Sequence, residues 1–85
     1  MIKDSVAGTL ESNDVLVEIS NNDSGRIINL ESPVKDMFEE DILKVVNNVL
    51  DEFNIENITI NLKDQGALDY AIAARVRTAL KRGLK

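Results

Sequence analysis

Apolar and polar positions alternate along the first third of the chain. Val15, Val17 and Ile19 are interleaved with Leu16 and Glu18, a run rich in β-branched residues, and this predicts a half-buried strand. Arg26 to Glu31 forms a second such run, with Ile28 and Leu30 on one side. The polar stretch Asn21-Asn22-Asp23-Ser24-Gly25 between them reads as a loop, and the two runs as a β-hairpin. Upstream, Val6 to Leu10 reads as a short strand that Gly8 weakens. Glu11-Ser12-Asn13-Asp14 then reads as a turn, because these side chains bond readily to their own backbone.

The period changes at Ser32-Pro33. Serine caps free amide groups, proline suits a first helical position, and Val34, Phe38, Ile42, Val45, Val46, Val49 and Phe53 follow at helical spacing. A helix over about 34–53 is expected, stopped at Asn54. Ile58, Ile60 and Leu62 alternate with Asn57, Thr59, Asn61 and Lys63, which predicts a strand with one dry and one wet face. Asp64-Gln65-Gly66 reads as a turn, with Gly66 serving the loop-to-helix transition rather than a phosphate cradle. A second helix is expected over about 67–82, with Leu68, Ile72, Val76, Ala79 and Leu80 inward and Tyr70 opposite. The order β-β-β-α-β-α describes one domain spanning residues 1–85. Its fold class is α+β: a two-layer sandwich of a small, mainly antiparallel sheet of three to four strands with two helices on one face.

Composition narrows the chemistry. The 85 residues contain neither Cys nor His. That excludes disulfides, thiolate metal sites, Ser-His triads and the usual acid/base group near neutral pH. A self-contained enzyme is therefore not expected. The carboxylate pairs Glu39-Glu40 and Asp51-Glu52 read as solvated helix surface, and no metal site is expected. The net charge of −5 argues against general nucleic-acid binding. All five cations of the last fifteen residues, Arg75, Arg77, Lys81, Arg82 and Lys85, are unaccompanied by an acid. They suit the negative end of a helix dipole, and alternatively form a docking surface for an acidic partner or a phosphate-bearing group. No apolar run approaches a membrane span, and the N-terminus lacks a signal peptide's apolar core, so a cytoplasmic location is expected.

Of the five serines, Ser12 and Ser24 lie in turn contexts suited to modification by a separate enzyme. Asp4-Ser5-Val6 resembles the Asp-Ser-Leu triplet at which ordinary acyl carrier proteins take phosphopantetheine. In those carriers, however, the serine begins a helix, whereas Ser5 precedes an expected strand, so the likeness reads as coincidence.

Val6-Ala7-Gly8-Thr9-Leu10-Glu11-Ser12-Asn13-Asp14-Val15 resembles the N-terminal motif of the citrate lyase acyl carrier proteins, the gamma subunits of that complex. Asp64-Gln65-Gly66-Ala67-Leu68-Asp69 and Ala74-Arg75-Val76 extend the resemblance over almost the whole chain. Family members often continue beyond the position of Lys85. The resemblance implies that Ser12 is the attachment residue for a covalent CoA-like group, 2'-(5''-phosphoribosyl)-3'-dephospho-CoA, joined through a phosphodiester. It implies an acetyl thioester on the group's thiol, exchange of acetyl for citrate on the alpha subunit, and cleavage to oxaloacetate on the beta subunit. A prosthetic-group transferase and citrate lyase ligase are implied as further partners, with no catalytic residue in this chain. Gly8 is given a close backbone approach, and Glu11, Asn13 and Asp14 the shaping of the turn. Two other readings stand beside this one: the carrier subunit of malonate decarboxylase, and an unmodified protein-interaction module.

Overall fold

The computed structural model describes residues 2–85. In chain order the elements are β1 (Ser5–Gly8), β2 (Val15–Ser20), β3 (Arg26–Glu31), α1 (Lys35–Glu52), β4 (Ile58–Asp64) and α2 (Asp69–Gly83). The four strands make one sheet in the order β1-β2-β4-β3. β2 runs antiparallel to both β1 and β4, while β3 runs parallel to β4. This is the expected α+β sandwich.

One pairing differs from expectation. β2 and β3 form no hairpin, because β4 lies between them. The reason is burial. Ile58, Ile60 and Leu62 of β4 are almost completely enclosed, as befits a strand paired on both edges, whereas Leu30 is the one buried residue of β3. Parallel neighbours need a long crossover, and α1 supplies it between β3 and β4. The hairpin of the fold is instead β1–β2, and it closes through the segment that contains Ser12.

Both helices cover one sheet face. Ile42, Val46, Val49 and Leu50 of α1 and Ile72, Val76, Ala79 and Leu80 of α2 meet Val15, Val17, Ile19, Ile58, Ile60 and Leu62 in a continuous core. Full burial of each Leu, Ile or Val side chain is worth about 1.5–3 kcal/mol. The opposite sheet face is wetter. There Asn29 bonds Asn61, and Lys63 lies 3.7 Å from Glu18.

Local details refine the expected boundaries. β1 ends at Gly8, where φ is +93°, rather than running on to Leu10. α1 stops as expected: Asn54 takes φ +55°, and the Ile55 N–H donates to the Leu50 carbonyl. Ser32 does not cap the first helical turn. Its hydroxyl accepts from the Val34 N–H and donates to Asp64, fixing the approach to a helix that starts at Lys35. Asp64 is not a turn residue but the buried end of β4, its other oxygen accepting the Ala67 N–H. A buried carboxylate needs such donors to replace lost water. Leu68 is not inward either; it precedes α2 and is exposed, as is Phe38 on α1.

The topology gives the molecule two distinct ends. β4 finishes at Asp64, opposite Val15 at the start of β2. α1 and α2 both begin at that end, beside the β1–β2 connection. The Ser24 loop, by contrast, lies at the opposite end, where Gly25 accepts the N–H of Ile58 at the start of β4.

Candidate functional site

The β1–β2 connection is built to hold a defined shape. The Asp14 N–H donates to the Glu11 carbonyl at 3.1 Å, closing a four-residue turn with Ser12 and Asn13 at its tip. Asn13 takes φ +65°, a conformation that asparagine tolerates better than most residues. The turn is also tied to the segment after β4. The Asn13 N–H donates to the Gln65 carbonyl and the Gln65 N–H to the Asp14 carbonyl, both at 2.8 Å.

Asp14 organises the rest. One carboxylate oxygen accepts the Val15 N–H and the Nε–H of Arg75. The other accepts the Thr9 hydroxyl at 2.6 Å and a terminal N–H of Arg75 at 2.9 Å. Arg75 thus grips Asp14 with two donors, the strongest form of this pairing. The Thr9 hydroxyl accepts the Glu11 N–H in turn. The bonds from Arg75, then Thr9, then the Val15 amide hold the Asp14 carboxyl well below the usual carboxylate range.

Ser12 stands exposed at the tip of this framework, and among the described residues no side-chain hydrogen bond involves its hydroxyl. The other serines are placed differently. Ser5 donates to the Ala79 carbonyl at 2.6 Å, and Ser32 to Asp64. Ser20 is half-buried on β2. Ser24 is exposed, in a loop ordered by Asn22 and Asn57. Exposure alone therefore leaves Ser12 and Ser24, the two serines whose context suits modification.

The cations of α2 are mostly engaged within the fold. Arg75 holds Asp14, Arg77 makes two bonds to Glu52, and Arg82 donates to the Val6 carbonyl. Arg77 holds the Glu52 carboxyl below its ordinary value. Gly66 faces Asn13: a β-carbon there would lie 3.6 Å from the Asn13 side-chain oxygen, and Gly66 sits in the loop before α2. Tyr70 is exposed, as its place on the helix wheel suggested.

Spacing along the chain does not reveal the Thr9–Asp14–Arg75 cluster, because Arg75 lies 61 residues from Asp14. A signal is nevertheless present. Arg75 and Gln65 belong to the two later stretches that resemble the citrate lyase carriers, and in the fold both stretches touch the first.

The chain is similar to proteins already known. A family model described as ACP, malonate decarboxylase delta subunit (MdcD), matches residues 2–83. The chain is 40% identical to a citrate lyase acyl carrier protein of Halothermothrix orenii over 93% of this chain and 84% of the relative. It is 45% identical to one of Treponema denticola over 94% of this chain and 91% of the relative. Another, from Latilactobacillus sakei, is 42% identical over 92% of this chain and 77% of the relative. The class is thus that of an acyl carrier, not a catalyst. Within it, the chain belongs to the family of citrate lyase acyl carrier proteins. No helix among the described residues is long and apolar enough to cross a membrane.

Proposed function

We propose that Ser12 is the residue through which this citrate lyase carrier holds its prosthetic group, 2'-(5''-phosphoribosyl)-3'-dephospho-CoA. The observation that carries this reading is an exposed hydroxyl at the tip of a turn that is fixed on both sides by backbone bonds and by Asp14. That geometry suits the group. A bulky phosphodiester needs an accessible oxygen, and a transferase needs a rigid target. Ser24 shares the exposure but lies outside the stretch that resembles the family motif.

The chain's own contribution is presentation. During loading the Ser12 oxygen bonds to phosphorus while its proton passes to the transferase and the donor's leaving group departs. The chain offers no histidine to take that proton. Asp14 adds little repulsion against the incoming phosphate, because its charge is already matched by Arg75. Glu11 is exposed beside Ser12, so positive charge on the transferase is required to balance it. The bound group supplies a thiol on a long flexible arm that raises the local concentration of an acyl group at successive sites.

In this reading the alpha subunit of citrate lyase exchanges the acetyl group on that thiol for citrate, releasing acetate, and the beta subunit cleaves the citryl thioester to oxaloacetate, which leaves the acetyl thioester on the same thiol; citrate lyase ligase is a further partner. The complex works in the cytoplasm. Identities of 40% and 45% to citrate lyase carriers favour citrate over malonate chemistry. The experiment is intact mass after coexpression with the transferase. A large increment that Ser12→Ala abolishes and Ser24→Ala leaves in place is expected; an unchanged wild-type mass overturns the proposal.

A further inference from the structure

An apolar groove of about 580 Å³ opens between the starting ends of α1 and α2. Val34, Phe38 and Ile42 line one side, and Ala67, Leu68 and Tyr70 the other. Leu68 is 61% exposed and Tyr70 74%. Large apolar side chains gathered on an otherwise charged surface mark an interaction site, and aromatic residues such as Phe38 and Tyr70 are among the types that protein interfaces favour.

The groove adjoins the Ser12 turn. Its wall includes Gly66 and Ala67, and the preceding residue, Gln65, exchanges backbone bonds with Asn13 and Asp14. Whatever occupies the groove therefore stands beside Ser12. The charged side chains at the groove are acidic: Asp64 and Asp69 line it, and Glu11 stands exposed in the adjoining turn. The nearby cations are already matched, Lys35 lying 3.7 Å from Glu39 and Arg75 gripping Asp14.

We infer that this groove is the docking site for a catalytic partner protein whose contact surface offers apolar side chains ringed by lysine and arginine. Charge selects that occupant. A second copy would bring acid against acid, and the phosphates of a tethered arm would meet the same repulsion. A basic, apolar-tipped protein surface satisfies both the floor and the rim, and it sets its own active site next to the arm's anchor. The inference rests on the carrier reading but not on Ser12 itself.

The test uses this chain, isotope-labelled, with unlabelled citrate lyase alpha subunit and, separately, beta subunit. Signal changes centred on Val34–Ile42 and Gly66–Tyr70 are expected with at least one of them. Leu68→Ser/Tyr70→Ser, whose sites are exposed and leave the core intact, should weaken binding about tenfold or more. Asp69→Asn should weaken it at low salt and flatten its salt dependence. Retention of the same map in Ser12→Ala separates the two ideas. Failed loading with intact groove docking sinks the attachment proposal alone, and normal loading with docking elsewhere sinks this one alone. Changes centred on the open sheet face, unaltered affinity in Leu68→Ser/Tyr70→Ser, or no measurable binding of either subunit would overturn the inference. So would groove signals that respond to loading alone, or a self-associated form that the Leu68→Ser/Tyr70→Ser change disperses.

Discussion

Replacing Gly8 with alanine probes the joint on which the Ser12 turn is hung. Gly8 has φ +93°, and a β-carbon there would overlap the Val15 carbonyl oxygen, standing 3.0 Å from its carbon and 3.3 Å from Arg75 Cδ. Two costs add. A side chain in the left-handed region costs about 1–2 kcal/mol, and displacing backbone that is already packed costs about 1–3 kcal/mol. Together these give about 2–5 kcal/mol, against a total stability of about 4–13 kcal/mol for a domain of this length. A fall in Tm of at least about 8 °C follows. Gly25 is the internal control. It has φ +89°, yet a β-carbon there would meet nothing within 4 Å. Gly25→Ala should therefore show only the first cost, about 1–2 kcal/mol. Thermal and urea unfolding followed by circular dichroism measure both variants. Losses that agree within about 0.5 kcal/mol, which is the level of difference expected when no extra contact is involved, would refute the argument from the Val15 contact.

Asp14→Asn should remove about 1.5–3 kcal/mol, the value of hydrogen bonds to a charged group, and slow loading of Ser12 in a transferase assay by loosening the turn. Because the folded Asp14 carboxyl titrates below its unfolded value of 3.8, its stabilisation is complete above about pH 5 and disappears as pH falls through the folded value. The Tm gap between wild type and Asp14→Asn should accordingly be full at pH 7 and close on acidification; a constant gap down to pH 2 would contradict the assignment. Asp64→Ala should cost about 2–4 kcal/mol in urea unfolding, since it leaves the Ser32 hydroxyl and the Ala67 N–H without their acceptor, and a loss within about 0.5 kcal/mol would contradict it.

The two helices and β4 were legible because each carries a sustained period that burial then uses: Ile42, Val46 and Val49; Ile72, Val76 and Leu80; Ile58, Ile60 and Leu62. Alternation identifies a strand's faces but not its neighbours, which is why β2 and β3 looked like a hairpin although β4 lies between them. Phe38 and Leu68 fit the apolar stripes of their helices, yet both lie at helix ends that overhang the sheet, so they line a surface groove. Asp64 read as a turn residue by type, and only the donors Ser32 and Ala67 make its burial tolerable. The turn around Ser12 was visible in its residue types, but the Arg75 grip that shapes it required the fold.

The central claim is that the Ser12 hydroxyl bears the carrier's arm, and the most direct measurement locates that arm on protein from its native host. Cleavage after Lys3 and Arg26 releases a peptide, residues 4–26, that holds four of the five serines. Fragmentation of the loaded peptide should place the whole added mass on Ser12. The added mass on Ser5, Ser20 or Ser24, or a peptide without it, would contradict the account.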